Sequence, residues 1–266
     1  MILTNVPRST IVSVVLSQLI ATLGFAPVTR ASSMMPPANE YAIEFHPPLD
    51  RGAPDVAVGG GPRCGFKFTP LLPHDASKDY GEISPPHFSL TVRPNPTFWL
   101  RTVKRMSEID FYIYEYDTEG RGKDGELIYE TLLDVPGGES FFSIPVPPDV
   151  ALEPGKIYRW YMDVVMGDGA SIEVLGNSGW IERIEVSPTL RKQLVGAETP
   201  LDRARVYAET GIWHDAFEIL VQERRLGDTP ELEAEWKEFL MSADFAEYVT
   251  EIPLLDCCSD RASEPR

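Results

Sequence analysis

Aromatic side chains are the first feature of this chain whose types and spacing could support recognition chemistry. Aromatic platforms on β-sheets stack on sugar rings and on the side chains of protein partners. Because side chains alternate between the two faces of a strand, some rings of the set must point inward, and core packing is the default for Trp99 and Trp160. The set comprises Phe98, Trp99, Tyr112, Tyr114, Tyr116, Tyr158, Trp160 and Tyr161.

Groups suited to catalysis or to metal binding show no pattern. His46, His74, His87 and His214 have no metal-ligand spacing, and no Cys/His pattern typical of zinc is present. No Gly-x-Ser-x-Gly nucleophile elbow occurs, and His214, beside Asp215, is predicted to be a turn or cap residue. The carboxylates are too numerous for any pair to stand out as acid and base. We therefore expect no catalytic residue, no metal and no cofactor.

Two Gly-rich segments resemble ligand loops only in part. The segment Asp117–Glu126 is acidic, but Arg121 and Lys123 offset its charge and the order of an EF-hand is absent, so a solvated hairpin loop is predicted. Gly59-Gly60-Gly61 is followed by Pro62-Arg63-Cys64, whereas a phosphate loop ends in Gly-Lys-Ser/Thr. A flexible linker is therefore predicted there.

Net charge and cysteine content limit the classes of partner. The chain has 41 acidic and 24 basic residues and a formal charge of −17, which argues against nucleic acid and anionic membrane surfaces. It favours solubility, cationic partners or divalent ions, and the simplest interpretation is a solvated acidic surface. An oxidising compartment allows a bridge from Cys64 to Cys257 or Cys258, and the odd count leaves one thiol over.

Residues 64–187 are predicted to form a β-sandwich domain. Roughly eight short hydrophobic runs alternate in this range, each bounded by Pro, Gly or Asp turns, as in an antiparallel sandwich or barrel. The stretch Leu152 to Trp160 resembles the tyrosine corner of immunoglobulin-like sandwiches, in which the Tyr158 hydroxyl would bond to upstream backbone. The alternation of Tyr158, Trp160, Met162 and Val164 predicts one inward apolar face.

Residues 188–250 are predicted to form a helical module, which makes the fold class α+β. Ala204, Tyr207, Gly211, Trp213, Ala216 and Leu220 have the spacing of a tetratricopeptide-like repeat, and an ordinary αα-hairpin fits equally well. Gly211 would allow the left-handed turn between two helices that approach at Ala204 and Ala216. Trp236, on a further helix from Pro230 to Ser242, would cap the pair. Because one repeat cannot bury its face alone, the module should pack on the sandwich or on a partner.

The two ends of the chain predict export and a tail. Residues 1–31 lack Asp and Glu, and Arg8 precedes an apolar stretch from Ile11 to Val28 that polar residues interrupt. This layout is typical of a cleaved secretory signal peptide and is too polar for a spanning helix. Residues 32–63 are predicted to be a Pro/Gly-rich extended segment and residues 251–266 a flexible tail. The protein is therefore expected to be secreted or periplasmic, with no stable membrane span after cleavage.

Taken together, short motifs along the chain resemble the bacterial domain of unknown function 928 family. They run in order from about Arg51 to Leu240 and comprise Arg51-Gly52-Ala53-Pro54, Gly59 to Cys64, Pro96-Thr97-Phe98-Trp99, Ile128-Tyr129-Glu130-Thr131, Leu152 to Trp160, Gly179-Trp180-Ile181-Glu182-Arg183 and Tyr207 to Ala216. The resemblance implies an exported envelope protein of unassigned activity, with no catalytic residues to carry over. It also implies a second Cys on the strand after the Tyr-x-Trp motif. Here that stretch is Val164-Val165-Met166, so a disulfide from Cys64 to this strand looks lost.

These observations predict an exported cell-envelope protein that acts as a non-catalytic binding or protein-interaction module. The alternatives are a carbohydrate-binding module and an envelope hydrolase with a cleft on the sandwich. A deep cleft with convergent polar groups would favour the enzyme. A flat aromatic strip would favour sugar binding, and a broad apolar patch on the helices would favour a protein partner. The candidate structural or interaction residues are Trp99, Tyr158, Trp160, Trp180, Tyr207, Gly211, Trp213, Ala216 and Trp236.

Overall fold

A computed structural model describes residues 42–54, 68–79, 85–102, 108–118, 122–135, 138–167 and 172–254. These residues belong to a compact unit that comprises residues 38–266. The predicted signal peptide, the Gly59-Gly60-Gly61 linker, the predicted tail from residue 255 onward, and Cys64, Cys257 and Cys258 lie outside the described residues.

The strands of the described chain follow the predicted hydrophobic runs. They are β1 (Phe68–Pro70), β2 (His87–Thr91), β3 (Thr97–Thr102), β4 (Glu108–Asp117), β5 (Lys123–Asp134), β6 (Ser140–Pro145), β7 (Lys156–Gly167) and β8 (Ile172–Arg183). The predicted solvated loop between Asp117 and Glu126 corresponds to the β4–β5 hairpin, in which Asp117 lies opposite Lys123. Its residues 119–121 lie outside the described part of the chain.

The strands form two sheets, and one pairing differs from the prediction. One sheet has the order β1-β3-β6 and the other the order β2-β8-β7-β4-β5. An entirely antiparallel arrangement was the wrong expectation, because β2 pairs with β8 in parallel, with Phe88 opposite Trp180. The two strands are far apart in sequence, so no hairpin forces them into antiparallel register.

The inner faces of both sheets contribute to one apolar core. Phe98 of β3, Phe111 of β4 and Trp160 of β7 are completely buried, and the Phe98 and Phe111 rings lie 4.9 Å apart. The predicted inward face of β7 is confirmed at Tyr158, Trp160 and Met162, all of which are buried. Gly179 of β8 makes room for this packing, since a Cβ atom there would lie 2.6 Å from Cζ2 of Trp160.

In the described part of the chain four helices follow the strands, and three of them begin with the same local motif. They are α1 (Pro188–Gly196), α2 (Pro200–Glu209), α3 (Trp213–Leu226) and α4 (Pro230–Ser242), followed by a 3-10 turn at Glu247–Glu251. Ser187, Thr199 and Thr229 each cap the helix that follows, with Pro in the first turn. The N-terminus of α3 has no side-chain cap. No helix in the described ranges is both long and apolar enough to cross a membrane.

Helices α2 and α3 form a hairpin that packs directly on the strands. Gly211 has a φ of 75° at the turn, as predicted, and Ala204 and Ala216 are fully buried, as expected for a close helix approach. The helices share the core of the sheets, because the ring of Trp236 in α4 lies 6.2 Å from the ring of Phe141 in β6. The alternative that the module packs only on a partner is therefore not needed to explain how its apolar face is buried.

The segments on either side of this core are packed as well. Residues 42–54, which are part of the extended segment predicted for residues 32–63, contain no helix or strand, and Ile43 and Phe45 are buried against the helical part. Residues 252–254, at the start of the tail predicted for residues 251–266, contact the strands. Ile252 is buried, and the Phe141 N–H donates to the Pro253 carbonyl at 2.9 Å. The apolar side chain and the available edge of β6 explain why the chain remains ordered past residue 251.

Candidate functional site

The structure divides the aromatic set into buried and half-buried side chains. Tyr112 and Tyr114 of β4 and Tyr161 of β7 are half-buried on the outer face of the five-stranded sheet. The other members, which are Phe98, Trp99, Tyr116, Tyr158 and Trp160, are at most 4% exposed. Only the first three can therefore take part in recognition without unfolding.

Strand register brings the three tyrosines together with carboxylates. Tyr112 lies opposite Tyr161 on β7 and opposite Glu130 on β5. In the neighbouring row Asp110 of β4 lies opposite Asp163 of β7. We call the surface formed by Tyr112, Tyr114, Tyr161, Asp110, Glu130 and Asp163 the tyrosine face.

The rings of the tyrosine face contact one another and an internal cation. The rings of Tyr112 and Tyr114 are stacked with centroids 6.4 Å apart, and Tyr161 meets Tyr114 edge-on at 5.8 Å. The Arg159 guanidinium lies 4.9 Å from the centroid of Tyr161, while the Tyr161 hydroxyl donates to Asp124 at 2.6 Å. Burial and the bond to Asp124 raise the pKa of Tyr161 above its ordinary value. The face is thus preorganised and already holds one guanidinium on an aromatic ring.

The carboxylates of the face have no such partners. The side chains of Asp110, Glu130 and Asp163 form no ion pair or hydrogen bond in the described part of the chain. Desolvation and the nearby charge of Asp110 raise the pKa of Asp163. Like charges directly opposite each other on neighbouring strands are destabilising. The arrangement is therefore negative and incompletely neutralised.

The outer face of the same sheet is covered at its other end. Trp180 of β8, Phe88 and Leu90 of β2 and Leu190 of α1 form a second buried cluster. The exposed side chains Leu127 and Leu132 of β5, 42% and 43% exposed, border the tyrosine face. The end that carries the tyrosines is thus the accessible end of the sheet.

The nine candidate residues lie mostly inside the protein and position its elements. Trp180 and Tyr158 are buried in the strand part, and Trp160 contacts the His87 ring at 5.9 Å. The predicted upstream bond of Tyr158 is present, since the Glu153 N–H donates to its hydroxyl at 2.7 Å. Those that pack within or against the helical part are Trp99, Tyr207, Gly211, Trp213, Ala216 and Trp236.

A cluster at the start of α3 is the feature that sequence reasoning missed. Trp213 Nε1 donates to the Leu71 carbonyl at 2.8 Å, and His214 contacts Ser89 Oγ through Nε2 and the Thr97 carbonyl through Nδ1, each at 3.0 Å. Asp215 accepts from the Thr91 hydroxyl at 2.9 Å. We call Trp213, His214 and Asp215 with these partners the α3 anchor. Because Ser89 and Thr97 belong to different sheets, His214 ties both sheets to the helix.

The Ser89–His214 contact does not have the properties of a catalytic dyad. Ser89 is 1% and His214 4% exposed, so a substrate cannot reach the hydroxyl. Asp215 accepts from Thr91 and the Val92 N–H rather than from His214. Burial lowers the pKa of His214 to about 4 and raises that of Asp215. The prediction that His214 is a turn or cap residue is therefore corrected to a buried bridging residue.

Three clefts lined by described residues are open at the surface, and their chemistry differs from that of the tyrosine face. A cleft of about 620 Å³ beside the β4–β5 hairpin is lined by Glu115, Lys156 and Glu182, and two of these form an ion pair with each other, Lys156 to Glu115 at 3.0 Å. A second cleft of about 410 Å³ lies beside α1. A third, of about 210 Å³, contains His74 stacked on His87 at 4.5 Å. No group of three or more potential metal ligands occurs among the residues described.

Fold and surface together define an α+β protein in which four helices pack on two sheets and one sheet keeps an aromatic and acidic outer face. The chain belongs to the Domain of Unknown Function (DUF928) family, which matches residues 62–253. This agrees with the family resemblance of its motifs. No curated protein matches the chain.

Proposed function

We propose that this protein is an exported, non-catalytic binding module of the cell envelope and that the tyrosine face is its ligand surface. One observation carries the proposal. Tyr112, Tyr114 and Tyr161 form an ordered, accessible aromatic strip beside carboxylates that lack partners in the described chain. A surface that retains unneutralised charge next to accessible rings is suited to binding rather than to packing.

The helical part is a weaker candidate for the ligand surface. Its large apolar residues Trp213, Phe217 and Trp236 are at most 1% exposed, so they belong to the core. The exposed apolar side chains Val195, Leu226 and Met241 lie on three different helices, α1, α3 and α4. This distribution favours a structural role for the helices.

The proposed architecture is an immunoglobulin-like β-sandwich (64–187) followed by a tetratricopeptide-like hairpin module (188–250). The sandwich is supported by the strand orders of the two sheets and by the Tyr158 corner bond, which pins the crossing from β6 to β7. The hairpin is supported by the turn at Gly211 and by the buried Ala204 and Ala216.

Export remains a proposal that rests on residues 1–31. Their charge distribution and apolar stretch are those of a secretory signal peptide. The expected mature N-terminus is Ser32, in the periplasm or the medium. Recovery of the intact Met1 terminus from either compartment would contradict cleavage.

A saccharide is the second candidate ligand, favoured by the stacked rings of Tyr112 and Tyr114, whose planes differ by 29°. Tyrosine rings stack on the apolar faces of sugars, and carboxylates accept hydrogen bonds from their hydroxyl groups. No enzyme is proposed, because the one Ser–His contact described above is buried.

Variants of the two surfaces test the proposal directly. In the tyrosine-face variant, Tyr112→Thr and Tyr114→Thr remove both rings but keep residues that favour strands. In the matched helical variant, Val195→Ser and Leu226→Ser remove exposed apolar side chains. The immobilised proteins are compared for quantitative capture from envelope extract and for their far-ultraviolet circular dichroism.

We expect the tyrosine-face variant to lose most capture while its spectrum is unchanged, and the helical variant to bind like the parent. The reverse pattern, in which only the helical variant loses capture, would assign the ligand surface to the helices. Equal capture by all three proteins would remove the tyrosine face as the binding surface.

A further inference from the structure

The tyrosine face carries a charge pattern that selects among ligands, and this step rests on the proposed function above. Asp110, Glu130 and Asp163 are acidic and have no cationic partner in the described chain. Among the described residues, the cation that contacts these rings is Arg159, which lies 3.8 Å from Asp124, so its charge is already balanced. A neutral ligand would leave the pair formed by Asp110 and Asp163 uncompensated.

The rings add a second, independent preference for cations. The faces of tyrosine rings attract ammonium and guanidinium groups. The chain itself demonstrates this, because the Arg159 guanidinium is held between Tyr161 at 4.9 Å and Trp180 at 5.0 Å. Tyr112 and Tyr114 carry no cation in the described structure, and Tyr112 lies in the row next to the acidic pair Asp110 and Asp163.

The neighbouring edge strand favours an extended ligand. Strand β5 is the last strand of its sheet and most of its length is exposed. An exposed edge can pair with an added strand, whose alternate side chains then project over one face at intervals of roughly 7 Å. A long side chain from such a strand would first meet Glu130 and then Tyr112, which is its partner on β4.

From these observations we infer that the tyrosine face binds an extended, cationic polypeptide segment, with lysine or arginine at alternate positions, that lies alongside β5. The segment's cations neutralise Asp110, Glu130 and Asp163 and stack on Tyr112 and Tyr114. A second copy of this chain fits poorly, because β5 is itself acidic and the chain carries a formal charge of −17. Like-charged edges repel each other.

Defined peptides distinguish this inference from the alternatives. The probes are a 13-residue alternating Lys/Thr peptide, the matched Glu/Thr peptide, and a neutral β-1,4-linked glucose hexasaccharide. Each is titrated by calorimetry into the protein from Ser32 onward at low and at high sodium chloride. We expect the Lys/Thr peptide alone to bind, with affinity falling at least tenfold at high salt because the charges are screened.

Two charge variants identify the site. In the first, Asp110→Asn and Asp163→Asn remove the acidic pair, and we expect at least tenfold weaker binding of the Lys/Thr peptide. The control, Glu198→Gln with Glu209→Gln, changes net charge equally at exposed positions of the helical part and should keep parental affinity. An equal loss in both variants would reduce the effect to general charge attraction and overturn the inference.

The outcomes separate this inference from the function on which it rests. Salt-insensitive hexasaccharide binding that Tyr112→Thr abolishes would overturn the cationic segment but leave the tyrosine face as a binding surface. Failure of every probe, combined with envelope capture that is indifferent to the tyrosine-face variant, would overturn both. Failure of every probe while that variant still loses capture would overturn only the cationic segment.

Discussion

The α3 anchor and the tyrosine face both combine aromatic rings with carboxylates, but the carboxylate of the anchor has hydrogen-bond partners within the described chain and those of the acidic pair on the face do not. In the anchor, Asp215 is 1% exposed and accepts from Thr91 and from the Val92 N–H. On the tyrosine face, Asp110 and Asp163 lie opposite each other at the half-exposed surface. A buried polar group needs a hydrogen-bond partner inside the protein, whereas a half-exposed one can bond to water or to a ligand. The anchor therefore contributes to stability, whereas the face has the unneutralised charge that the proposed recognition role requires.

The largest expected effect tests whether the anchor holds the helices on the strands. Trp213→Ala removes a ring that stacks on Phe239 at 4.7 Å and the bond to the Leu71 carbonyl. Such truncations of buried aromatic residues cost about 3–5 kcal/mol. Urea unfolding should show this loss, while Tyr112→Ala on the tyrosine face should cost at most about 1 kcal/mol. Similar losses in both variants would erase the distinction between the two regions.

Acid should weaken the anchor before it affects the tyrosine face. Burial lowers the pKa of His214 to about 4 from an ordinary 6.5. Between pH 6.5 and about pH 4 this histidine is therefore protonated in the unfolded chain but neutral in the folded protein. Its contribution to the free energy of unfolding is complete above pH 6.5 and is lost as pH falls towards 4. A shift from 6.5 to 4 corresponds to about 3 kcal/mol at most.

Unfolding midpoints measured between pH 7 and pH 4 check this expectation. His87, whose pKa burial lowers to about 3, adds to the same trend, so the parent alone cannot identify the residue. His214→Gln keeps hydrogen-bonding capacity and should flatten the slope. An unchanged slope in that variant would show that His214 does not couple the anchor to pH.

Local patterns in the sequence were sufficient to predict most elements. Helices α1, α2 and α4 each start at a Ser/Thr-Pro pair, whose capping and backbone restraint are local effects. Strand β7 followed from alternation, which is also local. The turn at Gly211 followed from the freedom of glycine to adopt a positive φ.

Features that depend on distant pairing could not be predicted in the same way. The Ser89–His214 contact joins residues 125 positions apart, and no periodicity encodes such a meeting. The facing of Asp110 and Asp163 depends on the register between β4 and β7, which an irregularity of one residue would change. The aromatic residues identified in the sequence include the three tyrosines of the tyrosine face, but only the strand register shows which rings remain accessible.

Two tyrosine substitutions compare a structural hydroxyl with a surface one. Tyr158→Phe removes the acceptor of the Glu153 N–H, which is expected to cost about 0.5–1.5 kcal/mol. Tyr112→Phe should leave stability unchanged, because its hydroxyl bonds to no residue of the described chain. Denaturant midpoints of the two variants measure the difference. An unaltered midpoint for Tyr158→Phe would remove the corner bond from the stabilising contacts of the strand part.

The smallest expected change in stability is a gain, and its direction distinguishes the tyrosine face from the α3 anchor. Asp163→Asn keeps the shape of the side chain but removes the charge opposite Asp110, so we expect a gain in stability of a few tenths to about 1 kcal/mol at neutral pH. The raised pKa of Asp163 predicts the same gain. The folded protein binds the Asp163 proton more tightly than the unfolded chain does, so the parent loses stability as pH rises through the raised pKa of the folded state. The gain should therefore disappear under strongly acidic conditions, where the parent carboxyl is neutral too.

Asp215→Asn in the α3 anchor is the matched control and should lose stability instead. It removes the buried charge that Arg93 Nε faces at 3.4 Å, and the amide NH2 that takes the place of Oδ1 cannot accept from the guanidinium. Thermal unfolding of the parent and both variants at neutral and acidic pH gives the comparison. If Asp163→Asn destabilised the protein as Asp215→Asn does, the acidic pair would be a structural feature and not a charge kept for a ligand. A stabilised Asp163→Asn that also binds the Lys/Thr peptide more weakly would show that stability is sacrificed at this surface for recognition.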